Sequence, residues 1–203
     1  MDPQALLVFA IGYLLGSIPF GLILTRLFGK GDLRAIGSGN IGATNVLRTG
    51  SKGLAAATLI LDALKGTVAV LVAHHHFPGF EHLAAAGALI GHLYPVWLKF
   101  MGGKGVATFL GILIFLLPIA AAVYAAVWVL LLLTIRISSV AGMAAAISAP
   151  VTAAVLGREQ FSSAPALFPM LLGFALLVVW KHRTNIARLR AGTEPRIGKG
   201  KGD

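Results

Sequence analysis

The stretch of sequence best suited to chemistry is a loop between two long apolar runs, GSGNIGATNVLRTGSKG at residues 37–53. Its glycines permit a tight backbone, and successive N–H groups in such a loop can form an anion-binding nest. A helix beginning near residues 42–44 would add positive potential. No acid stands between Asp32 and Asp62. The pattern favours a phosphate site over a plain surface loop, with candidates Gly37, Ser38, Gly39, Asn40, Gly42, Thr44, Asn45 and Arg48.

A second polar stretch, GGKGVAT at residues 102–108, places a lysine among three glycines directly before another apolar run. This composition suits an anion, but the spacing and the preceding strand of a nucleotide-binding P-loop are absent. Alternatively, Lys99 and Lys104 only anchor helix ends at the membrane interface, and taken alone that interpretation is the stronger. The candidate residues here are Gly102, Gly103, Lys104, Gly105 and Thr108.

A third polar stretch, KHRTNIARLRAGTEPR at residues 181–196, follows the last apolar run. His182, Asn185 and Arg188 are spaced three apart, so they share a face if that run continues as a helix. Glu194 is the only acid between this point and Asp203. The placed histidine and asparagine indicate a site, whereas the alternative is a basic tail that contacts anionic lipid.

Long apolar helices must position these stretches. The 203 residues are 57% hydrophobic and only 12% charged, with a mean hydropathy of +0.86. Soluble domains carry about 25% charged residues, and the alternating segments of a membrane β-barrel are missing. The composition therefore predicts an all-α integral membrane protein. No basic segment precedes the first apolar run, so we expect that run to be retained rather than cleaved.

The chemistry open to the chain is narrowed by its composition. The absence of cysteine removes disulfides, thiolate nucleophiles and cysteine-based metal sites. The net charge of +10 is scattered between apolar runs, which indicates topology and contact with the lipid bilayer rather than nucleic acid. We expect no metal site and no cofactor.

Seven membrane spans are predicted, and the 106–135 run decides the count. It makes about 45 Å of helix, too long for one ordinary span, and Pro118 near its middle would end or kink a helix. Two short spans there put all three polar stretches on one face. The predicted spans are 4–26, 53–73, 82–98, 106–117, 119–135, 138–156 and 164–180, within a single membrane-embedded domain of residues 1–203.

The cations then fix the orientation. All seventeen lie on the face of the polar stretches except Arg158 outside and Lys65 within a span. That face is predicted to be cytoplasmic, with the N-terminus outside and the C-terminus inside. Asp62 and Lys65 stand three apart in the second span, where a structural ion pair is favoured over a proton relay.

Three motifs carry a resemblance to a known family: SGNIGATNVLR, GHLYPVWLKFMGGKGVAT and HRTNIARLRAGTE. Together with GSIPFG and DALKGT, they resemble the bacterial acyl-phosphate:glycerol-3-phosphate acyltransferases, the PlsY family, over residues 13–197. The resemblance implies seven spans and an active site facing the cytoplasm at the bacterial inner membrane. It also implies acyl transfer from acyl phosphate to the 1-hydroxyl of sn-glycerol 3-phosphate, without a covalent acyl-enzyme. The products would be lysophosphatidate and inorganic phosphate, in the first acylation step of phospholipid synthesis.

The same resemblance implies roles for the candidate residues. Ser38 and Arg48 would bind substrate phosphate, the glycines around Lys104 would take the acyl-phosphate head, and Lys104 would neutralise the departing phosphate. His182 and Asn185 would lie at the reacting centre. Supporting substrate contacts would come from Gly37, Gly39, Asn40, Thr44, Asn45, Gly102, Gly103, Gly105, Thr108, Arg188 and Glu194.

Several alternatives stay open at this point. The hydroxyl proton could pass to His182, or to a phosphate oxygen of the substrate, which we favour. A different acyltransferase would use acyl-CoA through an H-x-x-x-x-D motif, but the fifth residue after His92 is Trp97, and HFPGFE at 76–81 is a near miss that we ascribe to chance. A multi-span transporter for an organic phosphate is the other alternative. The expected functional link is to a soluble phosphate acyltransferase that makes acyl phosphate.

Overall fold

The described part of the chain is helical throughout. The computed structural model describes residues 2–156 and 167–198, so Arg158, Lys199 and Lys201 of the predicted charge asymmetry lie outside it. All regular secondary structure in the described ranges consists of α-helices and short 3₁₀ turns. The all-α prediction drawn from the apolar runs is confirmed for these residues.

The chain folds as two compact units that divide after Leu116. The first unit contains α1 (Pro3–Gly16), α2 (Phe20–Leu27), α3 (Ala43–Leu47), α4 (Lys52–His76), α5 (Glu81–Leu93) and α6 (Val106–Leu116). The second contains α7 (Pro118–Thr134), α8 (Ser138–Val155), α9 (Leu167–Lys181) and α10 (Arg183–Arg190). The single domain predicted for the whole chain stays a prediction.

Within residues 2–156 and 167–198, three helical runs are long and apolar enough to cross a membrane. They are Pro3–Leu27, Lys52–His76 and Ser138–Val155, with mean hydropathies of 2.2, 1.8 and 1.5. The helices α6, α7 and α9 are apolar but shorter. The count of seven crossings and the orientation of the termini stay predictions.

The ambiguous 106–135 run consists of two helices, as Pro118 predicted. The helix α6 ends at Leu116 and α7 begins at Pro118. Proline suits the first position of a helix because its missing N–H is not needed there. The division into two short helices is therefore confirmed.

Two other predicted spans stay predictions as membrane crossings, but their helices are interrupted. The 4–26 run is not one continuous helix, because α1 and α2 are separated at residues 17–19. The 82–98 run is helical only to Leu93, followed by a 3₁₀ turn at Val96–Leu98. In both places a proline disfavours helical backbone at the residue before it: Pro19 acts on Ile18, and Pro95 on Tyr94.

Small residues let the helices of the first unit approach closely. A Cβ added to Gly12 or Gly16 of α1 would overlap the backbone of Ala84 or Ala88 of α5. The glycines Gly66 and Gly111 make the same kind of backbone contact between α4 and α6. Such contacts let membrane helices associate through van der Waals packing and weak C–H···O contacts.

The second unit packs α8 against both α7 and α9. The central helix presents buried alanines, including Ala141, Ala145 and Ala149, none of them exposed to solvent. Tyr124 of α7 is the largest fully buried side chain of the described residues. The helix α8, with its buried alanines, therefore packs at the centre of the second unit.

Candidate active site

The first polar loop is organised around the buried side chain of Asn45, on the one-turn helix α3. Its Nδ2 donates hydrogen bonds of 2.9 Å to the carbonyl oxygens of Leu33 and Ile36. Its Oδ1 accepts from the backbone N–H of Ser38 at 3.2 Å and from Nη1 of Arg48 at 3.3 Å. The amide is 3% exposed. The buried side chain of Asn45 therefore holds the backbone of Ser38 and the guanidinium of Arg48, the two residues predicted to bind phosphate.

Ser38 and Arg48 themselves are exposed at the surface of the first unit. Gly37, directly before Ser38, has φ +55° and lies so close to Asn45 and Arg48 that a Cβ would meet Arg48 Nη1 at 2.7 Å. Only glycine combines that left-handed backbone with that contact. The loop therefore presents one hydroxyl and one guanidinium outward from a rigid base.

The remaining candidates of this loop lie on its rim. Asn40 accepts a 2.9 Å hydrogen bond from the backbone N–H of Gly42, the residue that caps α3. Gly39 is exposed with φ +69°, and Thr44 is half-buried in the first turn of α3. The predicted helix start at residues 42–44 is confirmed, but a five-residue helix contributes little dipole.

The cations near this loop differ in their partners. Arg34 binds Asp32 through a 2.6 Å ion pair, and Arg26 lies 3.4 Å from the same carboxylate. The hydrogen bonds from Arg34 hold the pKa of Asp32 well below its usual range. Arg48 instead contacts the neutral amide of Asn45. Its charge is therefore not offset by a carboxylate in this contact, which suits an anion ligand.

The second polar stretch is packed against His92 at the end of α5. Gly103 lies directly on the imidazole, where a Cβ would overlap Nε2, and its N–H donates 3.0 Å to the carbonyl oxygen of His92. Gly102 lies equally close to the same carbonyl. Gly105 has φ +88° directly before α6. These contacts require glycines on both sides of Lys104, which is half-buried.

Thr108 lies one turn further along α6 and is fully buried. Among the described residues, no hydrogen-bond partner is found for its Oγ1. Its predicted contact with substrate stays a prediction.

The two loops of the first unit share one apolar cluster. Leu98, from the turn before Lys104, packs on buried residues of the first loop and its neighbouring helices. The cluster consists of Leu22, Leu33, Ile41, Val46 and Ala55. The structure therefore brings the first and second polar stretches onto a common support.

The third polar stretch, in the second unit, is organised around the carboxylate of Glu194. Oε1 accepts hydrogen bonds of 2.6 Å from Asn185 and 2.7 Å from Ser139, and Oε2 accepts 2.7 Å from Arg188 Nε. The side chain of Glu194 is 5% exposed. Partial burial alone would raise its pKa, but the three hydrogen bonds outweigh it, so the pKa lies below the ordinary value.

His182 stands at a break between α9 and α10. The condition under which His182, Asn185 and Arg188 would share the face of one helix is therefore met only for Asn185 and Arg188, which share α10. His182 Nδ1 lies 2.8 Å from the carbonyl oxygen of Val178. A carbonyl only accepts, so Nδ1 carries the proton there, and in the neutral ring Nε2 carries the lone pair.

Sequence reasoning missed two contributors and gave a third, Asn45, a different role. Ser139 binds Glu194 from fifty-five residues away, and no local spacing pairs them. His92 was considered only as part of an acyl-CoA motif, and its support of Gly103 became visible in the fold alone. Asn45 was grouped with the substrate ligands, whereas the structure places it under them. That His182 and Asn185 act with Ser38, Arg48 and Lys104 in one site stays a prediction.

A comparison with protein families decides the class of this chain. A model of the glycerol-3-phosphate acyltransferase family matches residues 6–192, which include the first two polar stretches and residues 181–192 of the third. The chain belongs to that family. It is therefore an acyltransferase, and the transporter interpretation has no support from this match.

Curated relatives in this family are similar over nearly their whole length. The glycerol-3-phosphate acyltransferase of Mesorhizobium japonicum is 55% identical and covers 95% of this chain and 96% of its own. That of Rhodopseudomonas palustris (strain BisB5) is 57% identical, covering 94% and 95%.

Two solved structures share the fold. Both are crystal structures of PlsY (YgiH), an integral membrane glycerol 3-phosphate acyltransferase. Its glycerol 3-phosphate form superimposes with a TM-score of 0.87 at 38% identity, covering 96% of each chain. Its lysophosphatidic acid form gives 0.85 at 37%, covering 96% of this chain and 95% of the other. This acyltransferase is therefore an integral, multi-pass membrane protein.

Proposed function

We propose that this acyltransferase moves the acyl group of an acyl phosphate to the 1-hydroxyl of sn-glycerol 3-phosphate. The family match supports the acceptor, and PlsY of the same fold has been crystallised in a glycerol 3-phosphate form and a lysophosphatidic acid form. The observation that carries the proposal is the pair Ser38 and Arg48, exposed and held by a neutral buried amide. A cation so placed suits a phosphate-bearing substrate.

The proposed reaction needs no enzyme nucleophile. The hydroxyl oxygen attacks the acyl carbonyl carbon, the carbon–oxygen bond to phosphate breaks, and the products are 1-acylglycerol 3-phosphate and inorganic phosphate. The hydroxyl proton passes to a phosphate oxygen of the substrate, with His182 and Asn185 orienting the reacting groups. Acyl phosphate is already activated, so positioning and charge stabilisation suffice.

The binding roles are divided between the polar stretches. Ser38 and Arg48 bind one substrate phosphate, with Gly37, Gly39, Asn40 and Thr44 around them. The loop of Gly102, Gly103, Lys104 and Gly105 takes the acyl-phosphate head, and the ammonium of Lys104 offsets the charge of the leaving phosphate. Thr108, Arg188 and Glu194 support these contacts.

The proposed site faces the cytoplasm of a bacterial inner membrane crossed by seven spans. A soluble phosphate acyltransferase that makes acyl phosphate would supply the donor there. Because the chain has no cysteine, single cysteines that replace Lys99 and Arg196 can report on which side of the membrane each position lies. We expect both to resist a membrane-impermeant maleimide in intact cells, while cysteine at His75 reacts. Reaction at Lys99 from outside would overturn this orientation.

The deciding experiment compares donors with the purified protein in detergent micelles. We expect lysophosphatidate to form from glycerol 3-phosphate with acyl phosphate and not with acyl-CoA. The Lys104→Ala variant should lose this activity while it elutes and melts as a folded protein. Transfer from acyl-CoA alone, or uptake of glycerol 3-phosphate into vesicles without acyl transfer, would overturn the proposal.

A further inference from the structure

Two buried charges of the first unit have no part in the proposed chemistry. Asp62 and Lys65 stand one turn apart on α4, with Nζ 2.6 Å from Oδ1 and both side chains no more than 5% exposed. A buried ion pair stabilises a fold little more than an apolar pair of the same size. The second contact of Lys65 is more informative, because its Nζ donates 2.8 Å to the carbonyl oxygen of Ile18.

Ile18 lies in the break between α1 and α2, directly before Pro19. In a continuous helix its carbonyl would accept the N–H four residues on, whereas among the described residues its one backbone donor is the N–H of Phe20 at 3.2 Å. The neighbouring carbonyl of Ser17 accepts 2.8 Å from Trp97 Nε1. A backbone carbonyl left without a partner in an apolar environment is costly. Side chains from elsewhere in the unit therefore hold the break.

The break sets the course of α2, and α2 supports the first loop. Gly21, in its first turn, lies so close to the carbonyl oxygen of Ile41 that a Cβ would overlap it. Leu22 belongs to the apolar cluster under the same loop. A change in the direction of α2 would therefore displace Ser38 and Arg48.

The second loop is hydrogen-bonded to the same break between α1 and α2. Tyr13 of α1 donates 2.7 Å to the carbonyl of Tyr94, and Trp97 binds Ser17 as above. His92, which supports Gly103, lies 3.8 Å from the carboxylate of Asp62. Both polar loops of the first unit therefore take their positions from the break and the charges beside it.

We propose that Lys65 is a positioning residue that holds the α1–α2 break by capping the Ile18 carbonyl, with Asp62 as its counter-charge. Its role in the reaction is to place the loop of Ser38 and Arg48 relative to the loop of Lys104. The proposal rests on the proposed function of those loops. It assigns no proton transfer to the pair.

Two variants separate the cap from the ion pair. Asp62→Asn removes the pair but keeps an amine that donates to Ile18, while Asp62→Asn/Lys65→Met removes the cap and leaves no buried charge. We expect the first to keep kcat/KM for glycerol 3-phosphate within a few-fold and the second to lose roughly tenfold or more, as misplaced groups do. Equal losses in both variants, or no loss in the second, would overturn the proposal.

Thr67→Val is the matched control on the same helix. Thr67 Oγ1 donates 2.7 Å to the carbonyl of Gly111, so this variant also removes a bond from α4 to a backbone carbonyl but leaves the break intact. Its kcat/KM should equal that of the unchanged chain. A loss as large as that of the double variant would show that any interhelical bond of α4 has this effect, against a special role for Lys65.

A distance measurement tests the positioning without activity. Spin labels on cysteines at Lys30 and Lys52, both exposed, report the end of α2 against the start of α4. We expect the distance distribution to shift or broaden in Asp62→Asn/Lys65→Met only. An unchanged distribution there would overturn the positioning role. An unchanged chain that transfers no acyl group from acyl phosphate would instead overturn the proposed function.

Discussion

The two polar centres of this acyltransferase are built on the same plan, but the central side chain is neutral in one and negatively charged in the other. Asn45 holds Ser38 and Arg48 through a neutral amide, whereas Glu194 holds Asn185 and Arg188 through a carboxylate. Each is a buried hub that gathers polar groups from several segments. The difference decides what remains for a substrate. The guanidinium of Arg48 keeps its positive charge for an anion, while that of Arg188 is already paired.

The largest expected effect concerns the arginine on the neutral hub. Arg48→Ala should lower the rate of acyl transfer by at least about a hundredfold, since one charge-assisted contact to the reacting groups is lost. Arg48→Lys should recover only part of this rate, because the ammonium group of lysine cannot donate two parallel hydrogen bonds to a phosphate as a guanidinium does. Arg26→Ala is the control, since that exposed cation already lies by Asp32. Rates and melting curves of the purified variants check this, and near-normal turnover of Arg48→Ala would contradict it.

Introducing a negative charge at the first hub should have the next largest effect. Asn45→Asp keeps an acceptor for Ser38 and Arg48 but pairs the guanidinium with a carboxylate, as in the second unit, and it also removes the Nδ2 donor to the carbonyls of Leu33 and Ile36. We expect KM for glycerol 3-phosphate to rise by roughly tenfold, the order of one charge-assisted contact. Steady-state kinetics at pH 7 measure it. A KM equal to that of the unchanged chain would show that the neutrality of the hub is unimportant.

Removing the charge of the second hub should mainly affect stability. Glu194→Gln leaves Arg188 without a counter-charge, and hydrogen bonds to charged groups contribute about 1.5–3 kcal/mol each. We expect a lower Tm in detergent micelles and a smaller loss of activity than in Arg48→Ala. Ser139→Ala, which removes one neutral donor, is the milder comparison at about 0.5–1.5 kcal/mol. If Glu194→Gln lost activity at an unchanged Tm, the hub would act in the chemistry directly.

The smallest expected effect is a pH dependence of that stability. The pKa of Glu194 lies below its ordinary value of 4.5 in the folded chain. Its contribution is therefore present above pH 4.5 and is lost as the pH falls through the lower folded pKa. The Tm of the unchanged chain should fall on acidification below about pH 4.5, and Glu194→Gln should show less of this fall. Equal acid sensitivity in both would contradict the assignment.

Local signals in the sequence were enough to predict that the chain is helical and which polar loops could bind an anion. Pro118 divided the longest apolar run, and the glycines around Ser38 predicted left-handed or crowded backbone, as found at Gly37. Pro19 was an equally visible signal inside the first run, but the run is apolar on both sides of it and was predicted as one span. No proline or glycine lies near the break at His182, so no local sequence signal predicts it.

The positions of groups relative to one another could not be predicted in the same way. Asn45 looked like one more donor on the loop, and only the fold shows that its amide hydrogens point at two backbone carbonyls. The partnership of Ser139 with Glu194 and that of Lys65 with Ile18 join segments distant in sequence. Such pairs depend on helix packing, which hydropathy does not encode.

The contact between α1 and α5 has a consequence for how the sequence can change. Where a methyl group on Gly12 or Gly16 would collide with the neighbouring backbone, even alanine, the mildest replacement, would force the helices apart. A saturation survey of single substitutions should therefore find these two glycines among the least permissive positions, alongside Arg48 and Lys104, although they carry no functional group at all.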